Sequence, residues 1–128
     1  MLFTNPGTQL KVLIDEGQLQ QRVRDLGEQI SADYQGKHLH LICILKGACV
    51  FLADLIRHLP LDISIDFMAV SSYANRLHTS GEVKIIKDLD SIIQGRDVMI
   101  IEDILDTGLT LDYLTRSLRT RAPNSLNI

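Results

Sequence analysis

The chain has 128 residues, 45% of them hydrophobic, which is enough apolar material for the core of one globular domain. A formal net charge of −3, with 13 basic residues that form no run or stripe, argues against a surface built for nucleic acid or for a membrane. No segment approaches the ~18 apolar residues of a membrane-spanning helix, the N-terminal stretch lacks the basic-then-apolar order of a signal peptide, and Cys43 and Cys49 lack metal-ligand spacing, so a cytoplasmic protein with reduced thiols is expected.

Within residues 18–34, Leu19, Val23, Leu26, Ile30 and Tyr34 recur at spacings of four, three, four and four, which predicts one apolar stripe along a helix. Residues 38–45, HLHLICIL, are short and rich in branched apolar types, the pattern of a strand covered on both faces. Gly47 interrupts that run, residues 48–59 read as a helix, and Pro60 ends it. Next, Leu61, Ile63, Ile65 and Phe67 alternate with Asp62, Ser64 and Asp66, which predicts a strand with one face in water. Residues 71–81 are polar and read as a long functional loop. A further short strand is expected over 82–89 and a buried one over 97–103. Past Gly108, Leu111, Leu114 and Leu118 mark the inner face of a helix, and Arg116, Arg119 and Arg121 its outer face. Pro123 breaks that helix, and residues 125–128 begin another strand.

Strands alternating with helices predict an α/β fold, an open and mainly parallel sheet flanked by helices, as a single domain over residues 1–128. The last strand-helix-strand unit reads as left open, so a C-terminally shortened chain is expected. His38, His40, His58 and His78 show no metal-ligand spacing and receive no role.

The chemistry concentrates in residues 98–110, VMIIEDILDTGLT. Ligands of open parallel sheets bind beyond the carboxyl ends of the strands. Here a buried strand runs into Glu102 and Asp103, then a turn Asp106-Thr107-Gly108, then a helix. The first amides of that helix, the positive end of its dipole and the hydroxyls of Thr107 and Thr110 suit a phosphate monoester. Carboxylates repel phosphate, so Glu102 and Asp103 must serve some other part of a ligand, by accepting hydrogen bonds from sugar hydroxyls or by holding a divalent cation. Regular strand alternation would send the two acids to opposite faces, so the chain must leave strand geometry there if both serve one ligand. The structural alternative is that the acids merely end a strand and Asp106 or Thr107 caps a helix. No G-x-x-x-x-G-K-[ST] sequence is present, so a P-loop nucleoside triphosphatase is not supported.

VMIIEDILDTGLT resembles the phosphoribosyl-pyrophosphate motif of type I phosphoribosyltransferases, and EDILDTGLT is close to the form in hypoxanthine (hypoxanthine-guanine) phosphoribosyltransferases. ILKGACVFLADL resembles that family's pyrophosphate-loop segment, and DFMAVSSYANRLHTSGEVKIIKDL its catalytic loop and flanks. The resemblance implies Mg²⁺-dependent transfer of phosphoribose from phosphoribosyl pyrophosphate to hypoxanthine or guanine in purine salvage. It implies ribose and magnesium contacts for Glu102 and Asp103, and proton transfer at the purine for Asp106. The turn Asp106, Thr107, Gly108, Leu109 and Thr110 would wrap the 5′-phosphate. Lys46 and Gly47 would bind pyrophosphate, with a cis Leu45–Lys46 peptide, and Ser72 and Tyr73 would belong to a closing lid. A homo-oligomer, dimer or tetramer, is implied too. The family's later purine-gripping segment has no counterpart in these 128 residues. Two other readings remain open: a nucleotide-sensing regulator that binds RNA through Arg116, Arg119 and Arg121, and an inactive fragment that binds phosphate but turns nothing over.

Overall fold

A computed structural model describes residues 11–72 and 83–128. Helix α1 spans Glu16–Asp33 and starts at a capping box: the Asp15 carboxylate accepts from the Gln18 amide at 2.8 Å, while the Gln18 side chain accepts from the Asp15 amide at 3.0 Å. Strand β1 (His38–Ile44) leads to α2 (Ala48–Ile56), then β2 (Asp62–Ser72), β3 (Val83–Lys87), β4 (Asp97–Ile101), α3 (Leu109–Arg119) and β5 (Ser125–Asn127). The sheet order is β3-β2-β1-β4-β5. β1 pairs parallel with β2 and β4, β5 pairs parallel with β4, and β3 returns antiparallel along β2. The expected open, mainly parallel sheet is therefore present, and residues 125–127 do form its fifth strand.

Two cores sandwich the sheet. On one side Leu39, Leu41 and Cys43 of β1 pack with Leu52 and Leu55 of α2 and Val23 of α1. On the other, Ile42, Ile44, Val98 and Ile100 pack with Leu114 and Leu118 of α3. Each of those two leucines is fully buried, which contributes about 1.5–3 kcal/mol apiece. β1 is covered on both faces from Leu39 to Ile44, as its mostly apolar run predicts. Cys43 is in the core, where burial, followed by the adjacent Cys49 thiol, pushes its thiol up to about 12. It is thus an inert packing group.

Four expectations need correction. Leu19 is not part of the buried stripe: it is 54% exposed, because α1 meets α2 only from Val23 onward. Ile65 is exposed, whereas Asp66, expected on the wet face, is buried at 3% exposure. The face of β2 that carries Asp66 is the one roofed by α3 and the 88–91 segment, so it is the drier of the two at that point. Residues 71 and 72 continue β2 instead of opening the loop, and residues 73–82 lie outside the described residues. Finally, Arg121 sits past α3 and forms a bidentate pair with Asp88 at 2.7 and 2.9 Å, in place of a free outer face.

The approach of α1 to the end of α2 leaves no room for a side chain at Gly27. A Cβ there would fall 2.5 Å from the His58 Cβ and 2.8 Å from its carbonyl oxygen. Backbone cannot yield as a flexible side chain does, so Gly27→Ala is expected to lower stability by about 1–3 kcal/mol. Chemical denaturation measures it, and an unchanged midpoint would contradict the tight packing.

Candidate functional site

β1 and β4 are adjacent parallel strands, so their carboxyl ends open at the same edge of the sheet. From β1 emerge Leu45, Lys46 and Gly47; from β4 emerge Glu102 and Asp103, then the turn into α3. The Leu45–Lys46 peptide is cis. Lys46 is exposed, and its carbonyl accepts the Cys49 amide at 3.2 Å as α2 begins.

The two loops touch. A Cβ placed on Gly47 would lie 2.6 Å from Oδ2 of Asp103, so the carboxylate rests directly against the Gly47 backbone. Fifty-six residues separate these two in sequence (103 − 47), and the sheet register alone joins them. β4 ends at Ile101, so Glu102 and Asp103 have already left regular strand geometry, as a shared ligand requires. The Asp103 amide donates to Oε1 of Glu102 at 3.1 Å. Burial, then the neighbouring Asp103 carboxyl, push the Glu102 carboxyl up to about 7. Such a pair gains from a nearby positive charge, which would let both acids ionise.

The turn before α3 is open to solvent. Asp106 and Thr107 are exposed, while Gly108 and Thr110 are partly so. Gly108 adopts φ +82°, a left-handed conformation that glycine alone enters without a Cβ penalty, and it serves as the N-cap of α3 with no side chain closing the helix end. The first-turn amides of α3 have no acceptor within the helix. The Thr107 hydroxyl makes only a long 3.4 Å contact with the Leu109 amide. An anion would fit at that entrance.

Ser72 lies at the end of β2, four residues past Met68, the last residue of that strand paired with β1, and opposite Val83 of β3. Tyr73 lies outside the described residues. Among the described residues no group of three or more His, Cys, Asp or Glu side chains could hold a metal ion. Two adjacent carboxylates nevertheless suit Mg²⁺, which takes one or two protein carboxylates and completes its octahedron with water and substrate oxygens.

Two features were not legible in the sequence. A groove of about 760 Å³ backs onto Glu102 and Asp103 from the α1–α2 side, walled by Ile30, Tyr34, Phe51, Leu55 and Met99. Its lining comes from α1, α2, β4 and β5, so no local pattern signals it. The other is Asp66, whose carboxylate accepts the amides of Phe67, Asp90 and Ser91 at 2.8, 3.0 and 2.8 Å and so ties the segment before β4 to β2.

Comparison with known proteins gives a consistent result. The family model described as "Phosphoribosyl transferase domain" matches residues 12–128. A hypoxanthine-guanine phosphoribosyltransferase of Bacillus subtilis is 51% identical over 118 residues, covering 92% of this chain and 66% of that protein. One from Mycobacterium tuberculosis is 48% identical, covering 96% and 64%. Among solved structures, a hypoxanthine phosphoribosyltransferase of Staphylococcus aureus superposes with TM-score 0.86 at 49% identity, covering 92% of this chain and 65% of that one. A hypoxanthine-guanine phosphoribosyltransferase of Bacillus anthracis, solved with a HEPES molecule in its active site, gives 0.85 at 45% identity, covering 91% and 69%. The chain thus spans roughly two thirds of the length of these relatives.

Proposed function

Because the chain belongs to the phosphoribosyl transferase domain family, we propose that it serves purine salvage, transferring phosphoribose from phosphoribosyl pyrophosphate to hypoxanthine or guanine with release of IMP or GMP and pyrophosphate. The observation that carries this reading is the contact between Gly47 and Asp103, which sets a β1 loop beside the acidic pair at the mouth of the α3 entrance. One small ligand bearing a diphosphate, a sugar and a 5′-phosphate matches three such neighbours.

In this reading the amides and hydroxyls of the turn from Asp106 to Thr110 hold the 5′-phosphate at the positive end of α3. Glu102 and Asp103 hold the ribose hydroxyls and a Mg²⁺ ion. Cleavage at the anomeric carbon builds positive charge on the sugar, and the two carboxylates stabilise it. When bound, Mg²⁺ supplies positive charge against the departing pyrophosphate. Lys46 adds its ammonium to the same anion, and the Gly47 backbone allows it to approach closely. Asp106 exchanges a proton with the purine. Ser72 and Tyr73 close over the site and keep water from the activated ribose. A cytoplasmic homo-oligomer, dimer or tetramer, belongs to the same proposal, and exposed Val50, Ile86 and Ile92 offer apolar surface for it.

Calorimetric titration with phosphoribosyl pyrophosphate tests the reading, with Mg²⁺-dependent heat as the expected result. Absence of binding in both conditions would end it. Gly47→Ala sharpens the test. The φ of −58° at Gly47 tolerates alanine, and the group in the way is the tip of an exposed side chain, so stability should hold. Asp103 must move aside, however, and losing one charged contact should weaken Mg²⁺-dependent binding roughly ten- to a hundredfold. The regulatory reading finds less support: Arg116 pairs with Asp112 at 2.6 Å and Arg121 with Asp88, which neutralises two of the three arginines it needs.

A further inference from the structure

At the opposite, amino-terminal ends of β1 and β2, four polar side chains form a continuous hydrogen-bonded chain. The strand register sets His38 beside Asp62 and His40 beside Ser64, all on one face of the sheet. Oδ2 of Asp62 lies 2.9 Å from Nδ1 of His38. Nε2 of His38 lies 2.8 Å from Oγ of Ser64, and Nδ1 of His40 lies 2.6 Å from the same oxygen. His40 is 1% exposed, and among the described residues its Nε2 has no hydrogen-bond partner.

The orphaned nitrogen sets the direction of every bond in the chain. Burial, then the positive charge of Arg96, hold the His40 imidazole below its ordinary pKa, with Asp66 opposing and His38 adding to the effect, so the ring stays neutral and carries one proton. A proton on Nε2 would be a buried N–H with no acceptor, in the field of a guanidinium; a bare lone pair there costs less. The proton therefore sits on Nδ1 and is donated to Oγ of Ser64. A neutral His38 carries its proton on Nδ1, facing the Asp62 carboxylate, which leaves Nε2 as the acceptor for the hydroxyl proton of Ser64. Carboxylate, imidazole and hydroxyl follow in the order that activates a serine for attack.

We infer that Ser64 is a nucleophilic modification site for activated acyl donors, such as activated esters and acyl phosphates, with His38 as its general base and Asp62 as the positioning residue. Oγ of Ser64 forms a bond to the acyl carbon while its proton passes to Nε2 of His38. The bond from that carbon to the leaving group breaks, the leaving group departs with the electron pair, and the proton on His38 goes to it or to water. Ser64 is partly buried, and the His38 and Asp62 side chains that border it are 42% and 80% exposed, so a small acyl donor approaches from their side. It stands six residue steps along β1, roughly 20 Å, from the carboxyl edge of the sheet, and does not depend on the phosphoribosyl reading.

Incubation with p-nitrophenyl acetate, followed by peptide mass mapping, tests it. The expected result is one acetyl group on the peptide holding Ser64, with release of p-nitrophenolate in matching amount. Ser64→Ala should remove that label, and His38→Gln should slow it by about a hundredfold or more. Asp62→Asn, at an exposed position that leaves the fold intact, should slow labelling about tenfold, and Asp62→Glu should restore it. Acetyl groups found only on lysines or histidines would overturn the inference. So would equal labelling of Ser64 in the Asp62→Asn protein.

Discussion

In a version extended to the full length of its relatives, and on the proposed transfer reaction, Asp106→Asn is expected to lower the rate of hypoxanthine-dependent pyrophosphate release by roughly 10²- to 10⁴-fold, the range for loss of a positioned proton-transfer group. Asparagine keeps the size of the side chain but loses its negative charge and its ability to take up a proton. Asp106 is exposed in the turn before α3, so stability should stay within about 0.5 kcal/mol of the parent. Steady-state kinetics separate the possibilities. A fall in kcat with KM little changed supports proton transfer, whereas a rise in KM at constant kcat would make Asp106 a binding group instead. Unchanged values of both would remove Asp106 from the mechanism.

Asp66→Ala should have the largest effect on stability, a loss of roughly 2–4 kcal/mol, because the amides of Phe67, Asp90 and Ser91 lose the buried carboxylate that accepts them. Burial by itself would raise the Asp66 pKa, but the amides of Phe67, Ser91 and Asp90 outweigh it and hold the carboxyl below the usual carboxylate range. A depressed carboxyl pKa stabilises the fold at pH above the unfolded value of about 3.9, and that contribution disappears as pH falls through the folded-state pKa. The parent should therefore lose stability on acidification that the Asp66→Ala protein has already lost, and the two curves should converge below roughly pH 4. Urea unfolding across pH gives both curves. Parallel curves, or a difference under 1 kcal/mol on the order of an exposed substitution, would show that the latch is not holding the segment.

The order of elements was legible because each announces itself locally. β1 is a mostly apolar run, α1 repeats apolar residues at helical spacing, and α3 repeats leucine at helical spacing after Gly108. The acidic pair and the threonine-glycine turn were legible for the same reason, since all lie within nine residues and their chemistry is readable without a partner. β2 is legible only in part. Alternation shows which residues share a face, and only the neighbours decide which face is dry. Asp66 is buried where three amides from two segments converge on it, and Ile65 is exposed because among the described residues nothing covers that part of the other face.

Local sequence thus determined the elements, which side chains share a face, and the chemical types offered at the carboxyl edge of the sheet. Tertiary structure alone decided which of those groups meet. Asp103 rests on Gly47 because β4 lies beside β1, and Asp62 reaches His38 because β2 pairs with β1 in one register and not its neighbour. Shifting that register by one residue would turn every side chain of β2 to the opposite face and dissolve the Asp62–His38–Ser64–His40 chain. Contacts of that kind are set by the packing of whole layers, which no short window of residues contains.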